Sequence, residues 1–328
     1  MTSYLVFVAT LAGIYALLSL GLVTLWGQGG MVNLGLVGFY ALGAYTSALL
    51  SGAGMPIGIA LVCAALLAGG VGVALCFVTR TLRGDYLAIV SLGFAEVIRL
   101  VAMNEKWLTG GADGVSGIRS PLKEQLGAAH PWFYLLLVWA IVGIAAFALA
   151  RLLRSPFGRA LRAVRDDEQV AAVAGKPVLQ LKLKAFFIGT ALSGIAGGVY
   201  AHLTSYIAPD GFVPLLTIYI FLAATAGGYT RLAGAIVGAI AVMALLESTR
   251  FVAAWIPGLS AVQVASFREF VIAVALIAVM QLKPEGFFGS KAQLSGARRN
   301  EADPRRVAES AASSSSSSSQ NVLAVAKP

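Results

Sequence analysis

Nine stretches of about twenty mostly apolar residues, near 4–26, 31–51, 56–79, 86–103, 132–153, 183–207, 213–228, 231–252 and 267–282, constrain this chain more than anything else in it. A hydrocarbon layer ~30 Å thick offers no water to a backbone N–H or C=O, so a segment of this length crosses it by forming a helix that satisfies its own polar groups. The pattern predicts an all-α polytopic membrane protein with about nine transmembrane segments, eight to ten in all, some of them short or broken. Charge is correspondingly scarce, with 12% of the residues Asp, Glu, Lys or Arg, about half the share usual in a soluble domain. The chain enters its first span almost at once, without the basic start and small-residue cleavage site of a leader, so that helix is expected to be retained.

Orientation follows from Lys and Arg, which concentrate in cytoplasmic connections. Placing the connections 79–85, 151–184 and 229–231 and the C-terminal tail inside gathers eighteen of the 24 basic residues there. An outside N-terminus, an inside C-terminus and nine spans are then mutually consistent. The net charge of +9 is accounted for by this bias; the basic residues are not interleaved with aromatics on one amphipathic helix, so no nucleic-acid partner is expected. Residues 1–290 make up the expected membrane domain. Residues 291–328, with an unbroken serine run from Ser313 to Ser319, lack the apolar surface to offset ordering entropy and are expected to be a disordered cytoplasmic tail.

Much of the glycine lies inside the spans, where small residues at three- and four-residue spacing let membrane helices approach closely. Two glycine clusters coincide with polar neighbours and span ends, Trp26-Gly27-Gln28-Gly29-Gly30 and Gly227-Gly228, and are expected to interrupt helices.

Little else in the chain offers chemistry. Cys63 and Cys76 lie thirteen positions apart on one predicted helix, roughly 20 Å, too far to bridge. His130 and His202 fall in unrelated segments and are expected at loops or membrane boundaries, so neither a metal cluster nor a catalytic group assembles locally. The Gly-rich stretch Gly110-Gly111-Ala112-Asp113-Gly114 lacks the Gly-Lys-Ser/Thr ending of a nucleotide loop. With no ATP site and no catalytic constellation, an enzyme is not expected, and energy for active transport has to come from another subunit. The rival, an ion-coupled transporter working alone, needs buried carboxylates, for which Glu96 and Glu247 are the candidates.

The connection 154–182 carries order signals. Ser155 before Pro156 predicts a capped helix start, and Gly175 followed by Pro177 a stop, so one or two short amphipathic helices are expected outside the membrane. Asp166, Asp167 and Glu168 beside arginines suit either docking of a cytoplasmic partner or an ordinary solvated loop. Glu96 and Arg99, three apart on one face of the fourth span, suit either the transport path or a structural ion pair.

Four stretches together resemble the branched-chain amino acid ABC transporter permease family, in its LivM-type subunit, over roughly residues 10–290. They are Gly27-Gln28-Gly29-Gly30 through Leu49, Gly84-Asp85-Tyr86 through Arg99, Leu108-Thr109-Gly110-Gly111-Ala112-Asp113-Gly114, and Ser155-Pro156-Phe157-Gly158-Arg159 through Gly175 to Phe186. The sequence departs from the family pattern after Glu168, and at Tyr229 and Arg231. The resemblance implies a permease subunit of an ATP-driven importer in a bacterial inner membrane. A second related permease, two cytoplasmic ATPases that bind ATP-Mg and a periplasmic binding protein complete it; this chain needs no cofactor. It implies branched-chain amino acids as cargo, and the family is also similar to urea and short-chain amide permeases. It makes 154–182 the coupling loop, with Arg159, Arg162, Arg165, Asp166, Asp167, Glu168 and Gly175 as its contact residues. Gln28, Asn33, Tyr45, Glu96 and Arg99 are then candidates for the translocation path.

Overall fold

Proline and glycine punctuate this fold. In a computed structural model, which describes residues 2–82, 84–254 and 261–282, Pro56, Pro156, Pro177 and Pro214 each stand at the start of a helix, where the missing N–H costs nothing. Arg83, residues 283–290 and the serine-rich stretch 291–328 expected to be a tail lie outside the described residues. The apolar runs between these stops form α1 (Thr2–Leu22), α2 (Leu36–Gly52), α3 (Ile57–Val78), α4 (Gly84–Asn104) and α5 (His130–Arg154). Two short helices follow, α6 (Pro156–Asp166) and α7 (Glu168–Val173), and then α8 (Val178–Thr204), α9 (Leu215–Gly227), α10 (Leu232–Ala254) and α11 (Ala261–Leu282).

The long helices coincide with the nine apolar stretches. Among the described residues, six segments are long and apolar enough to cross a membrane, so the chain is a multi-pass membrane protein: Thr2–Gln28, Ile57–Val78, Asp85–Asn104, Lys123–Arg154, Val178–Thr204 and Pro209–Gly227. Leu36–Gly52 and Leu232–Ser248 are apolar but shorter. The first of these is short because residues 29–35 are not helical, so α2 begins late.

Helices α1 and α8 form the centre. α8 packs on α2 and α3, α1 packs on α5, α8 and α10, α9 and α10 pair with each other, and α4 lies against α2. Glycine sets the closest of these approaches: a Cβ on Gly43 would strike the backbone of Gly194, and one on Gly197 the carbonyl of Tyr40. At one end of the bundle a two-residue antiparallel ladder pairs β1 (Val115–Ser116) with β2 (Tyr206–Ile207), joining the loop after α4 to the segment after α8.

Two sequence expectations are corrected. His202 is buried in the last turn of α8 rather than in a loop: its Nε2 meets Ser47 Oγ at 2.8 Å and its Nδ1 meets the Arg119 carbonyl at 2.6 Å, tying α8, α2 and the 105–129 loop together. Ser155 stands at the start of α6 but makes no cap; its hydroxyl turns back to donate to the Leu152 carbonyl at 2.6 Å.

Gly43→Leu is expected to lower the thermal-unfolding midpoint of the detergent-solubilised chain, because overpacking a tight contact costs typically about 1–3 kcal/mol. Gly70→Leu, where a side chain meets nothing within 4 Å, is expected to leave the midpoint unchanged.

Candidate functional site

The helix interruptions and the connection 154–182 meet at one place. α1 does not end cleanly: its last turn, Val23–Gln28, is a π-helix, and the chain then runs non-helically to Gly35. Such wide turns occur often at functional sites. α9 ends at Gly227, and Gly228 carries φ +104°, a conformation glycine reaches without steric cost. Gly27 has no side chain because a Cβ there would collide with the Tyr229 carbonyl. The two breaks are therefore in contact.

α6 fastens both. It is amphipathic: Gly158, Leu161 and Val164 are buried, while Arg159 and Asp166 face outward. Arg165 Nη1 donates to the Gly27 carbonyl at 2.7 Å. Arg162 Nη1 donates to Gln28 Oε1 and to the Leu153 carbonyl, each at 3.2 Å. Gln28 Nε2 in turn donates to the Thr230 carbonyl at 2.8 Å. The chain Arg162–Gln28–Thr230 thus runs from the loop helix through the end of α1 to the α9–α10 turn. Trp26 reinforces it from the membrane side, stacking on Tyr229 with ring centres 4.7 Å apart and packing on Phe221 at 5.2 Å.

The acidic cluster orders the loop itself. Asp167 caps α7, its Oδ1 accepting from the Gln169 and Val170 N–H groups at 2.9 and 3.0 Å, the role sequence reading gave to Ser155. Asp166 accepts from Arg165, and Glu168 pairs with Lys182 at 2.6 Å, tying α7 to the first turn of α8. Arg165 is only 14% exposed at its side chain against 63% for Asp166, so its inward bond to Gly27 outweighs the solvent-screened pair. Arg159 reaches only the Arg154 carbonyl and stays exposed. Gly175 turns the chain with φ +74°. Beyond these ties, Val170 and Val173 project as an exposed apolar tip.

The five residues expected along a path separate into groups. Gln28 belongs to the fastening just described, both ends of its amide engaged. Tyr45, Glu96 and Arg99 gather around the turn Pro209–Gly211: Arg99 holds Glu96 with contacts of 2.5–3.2 Å and lies 3.9 Å from Asp210, and the Tyr45 ring packs on Phe212. Asn33 lies fully buried in the break before α2. Its Oδ1 accepts from Gly35 N, while its Nδ2, like the Tyr45 hydroxyl, is buried without a hydrogen-bond partner. Glu247 accepts from the Tyr4 hydroxyl.

Residues 4–280 match the family model for the branched-chain amino acid transport system permease component. The chain belongs to that permease family. It is 35% identical over 267 residues to the high-affinity branched-chain amino acid transport system permease protein LivM of Escherichia coli (strain K12), an overlap of 74% of this chain and 63% of that protein. A probable branched-chain amino acid transport permease protein LivM of Methanocaldococcus jannaschii is 28% identical over 260 residues, covering 77% of this chain and 74% of that protein. The LivH permease protein of Escherichia coli (strain K12) is 25% identical over 309 residues, covering 85% of this chain and 92% of that protein. The chain thus spans 63% of the length of the bacterial LivM proteins it matches. No solved structure matches the chain.

The sequence of this permease gives no sign of the roles of Thr230, Leu153 and Asp210, nor of the ring contacts of Trp26, which act through carbonyls, ring faces or long-range pairing that no local pattern announces. Tyr229, which stood out as a departure from the family pattern, is the stacking partner of Trp26.

A double-mutant cycle with Arg162→Ala and Gln28→Ala, read by thermal unfolding, is expected to give an interaction energy on the order of 1 kcal/mol, typical of groups sharing one hydrogen-bond network. Additivity within experimental error would mean the bridge contributes nothing.

Proposed function

We propose that this chain is the permease subunit of an ATP-driven importer in the bacterial inner membrane, moving branched-chain amino acids or similar small polar solutes. It crosses the membrane nine times, N-terminus out and C-terminus in, with residues 154–182 as the cytoplasmic coupling loop. Its partners are a second related permease, two cytoplasmic ATPases that bind ATP-Mg, and a periplasmic protein that delivers the solute. The names of its LivM and LivH relatives support the solute class.

The observation that carries this reading is the attachment of α6 to both helix breaks through Arg162 and Arg165. Closure of the ATPase pair pushes on the exposed tip at Val170 and Val173. The ordered loop, held by Asp167 and the Glu168–Lys182 pair, passes the push to α6 without folding away. Arg165 pulls the carbonyl end of α1, and Arg162 acts through Gln28 on the α9–α10 turn. The two membrane helices therefore shift together and change the exposure of a cavity shared with the second permease.

Deeper in the membrane, Asn33 offers a free N–H donor beside the N-terminal end of α2, where Leu34 N donates to Ser91 Oγ and Val37 N to Thr217 Oγ1. A helix N-terminus and an amide donor suit the carboxylate of an amino acid. The Glu96–Arg99–Asp210 cluster holds the start of the α9 arm in place. Glu247, the other carboxylate an ion-coupled mechanism would use, is engaged by Tyr4, which favours the ATP-driven reading.

Proteoliposomes containing the complete transporter are expected to take up solute only with internal ATP and external binding protein. Arg165→Ala is expected to reduce uptake about tenfold or more, the factor given by one charge-assisted hydrogen bond, with basal ATP hydrolysis retained. Full uptake by the variant rejects the coupling route, and uptake by this chain alone under an ion gradient rejects the importer.

A further inference from the structure

An apolar furrow runs along α8 between α3 and α5, with Phe157 of α6 at one end. Its floor is the stripe Leu183, Phe187, Ala191 and Ile195, spaced four residues apart and so aligned on one helix face. α3 forms one wall with Leu61, Ala65 and Val73, and α5 the other with Ile141 and Leu152. The furrow exists because the walls are held by different neighbours. Gly69 and Gly72 let α3 settle onto Phe187 and Thr190 of α8, whereas α5 packs on α1 and leaves α8 uncovered between them. Two cavities, of about 460 and 300 Å³, both reach Phe187 and lie along this stripe. From Leu183 to Ile195 the helix rises roughly 18 Å, close to the ~15 Å of hydrocarbon in a single leaflet.

The furrow is apolar throughout except at one end. There Lys184 lines the larger cavity, exposed and without a hydrogen bond or ion pair among the described residues. Its neighbour Lys182 already holds Glu168, and Arg151 and Arg154 are exposed in the last turn of α5, adding positive charge at the same end. An apolar helix seated here would leave the Lys184 ammonium unneutralised against hydrocarbon, which is costly. A zwitterionic lipid supplies no net charge to meet it.

We propose that this furrow is a binding site for one anionic phospholipid, its acyl chain along Phe187, Ala191 and Ile195 and its phosphate on Lys184. The site stands on the furrow and its cation alone and does not depend on the transport reading. Lysine binds phosphate as a point charge, and one such charge near an anionic headgroup changes affinity about fivefold.

Native mass spectrometry of the full chain in its transporter complex tests this, using phosphatidylglycerol and phosphatidylcholine with identical acyl chains. Wild type is expected to retain phosphatidylglycerol preferentially. Lys184→Ala is expected to lower that preference about fivefold with phosphatidylcholine retention unchanged, and Ala191→Trp, which fills the floor, to abolish both adducts. Equal retention of the two lipids by wild type, or an unchanged preference in Lys184→Ala, overturns the site. So does disulfide capture of Ala191→Cys by the second permease in native membranes, which would show the furrow covered by protein. None of these readouts measures uptake, so they fail or succeed apart from the transport reading.

Discussion

A helix that stops at or within a bilayer leaves carbonyl groups with no partner along its own backbone and no water to replace one. In the proposed orientation this chain stops helices in that position at the ends of α1, α5 and α9, and carbonyls there are met by side chains. Arg165 takes Gly27, Arg162 takes Leu153, and Gln28 takes Thr230. The donors belong to the loop helix and to the break itself, so the cost of interrupting the helices is offset in part by α6. Moving α6 alone would strand the Gly27 and Leu153 carbonyls, each at a cost of about 1–3 kcal/mol. That penalty makes α6, the π-helical turn and the Gly228–Thr230 turn a single body.

The rest of the molecule supports that body. Close glycine contacts hold α8 rigid against α2 and α3, and the Trp26–Tyr229 stack closes the membrane side of the junction with a contact worth about 0.5–1.5 kcal/mol beyond burial. At the opposite end, His202, Ser47 and the Arg119 carbonyl fix the long loop, and Arg99 lies 3.9 Å from Asp210 of the Pro209–Gly211 turn. In the proposed importer these ties leave a stiff bundle with one handle, and force applied at α6 reaches α1 and α9 rather than dissipating in the loop.

Helix positions were legible from sequence because length, apolarity and proline are local properties. The nine stretches, the two short loop helices and both glycine breaks were all readable in that way. What joins them was not. Arg162 and Gln28 are separated by 134 positions, and nothing in either neighbourhood specifies the other. Ser155 before Pro156 has the composition of a cap, yet its hydroxyl donates to the Leu152 carbonyl and leaves α6 uncapped, while Asp167 caps the separate helix α7. His202 read as a boundary residue because one histidine in an apolar run carries no sign of Ser47, 155 positions away. Grouping Gln28 with Asn33, Tyr45, Glu96 and Arg99 followed their polarity; the structure divides them by which turn of chain each one touches.

The most direct measurement is a pair of spin-label distances in the complete transporter, without nucleotide and with ATP bound. Labels at Arg159→Cys on α6 and Arg231→Cys beside the α9–α10 turn, both exposed positions, report on the junction; a third at Trp107→Cys, 82% exposed near the opposite end, supplies the reference. The expected result is an unchanged distance between the first two labels while both move relative to the third. Displacement of the α6 label with the turn label stationary would contradict a rigid junction and the coupling built on it.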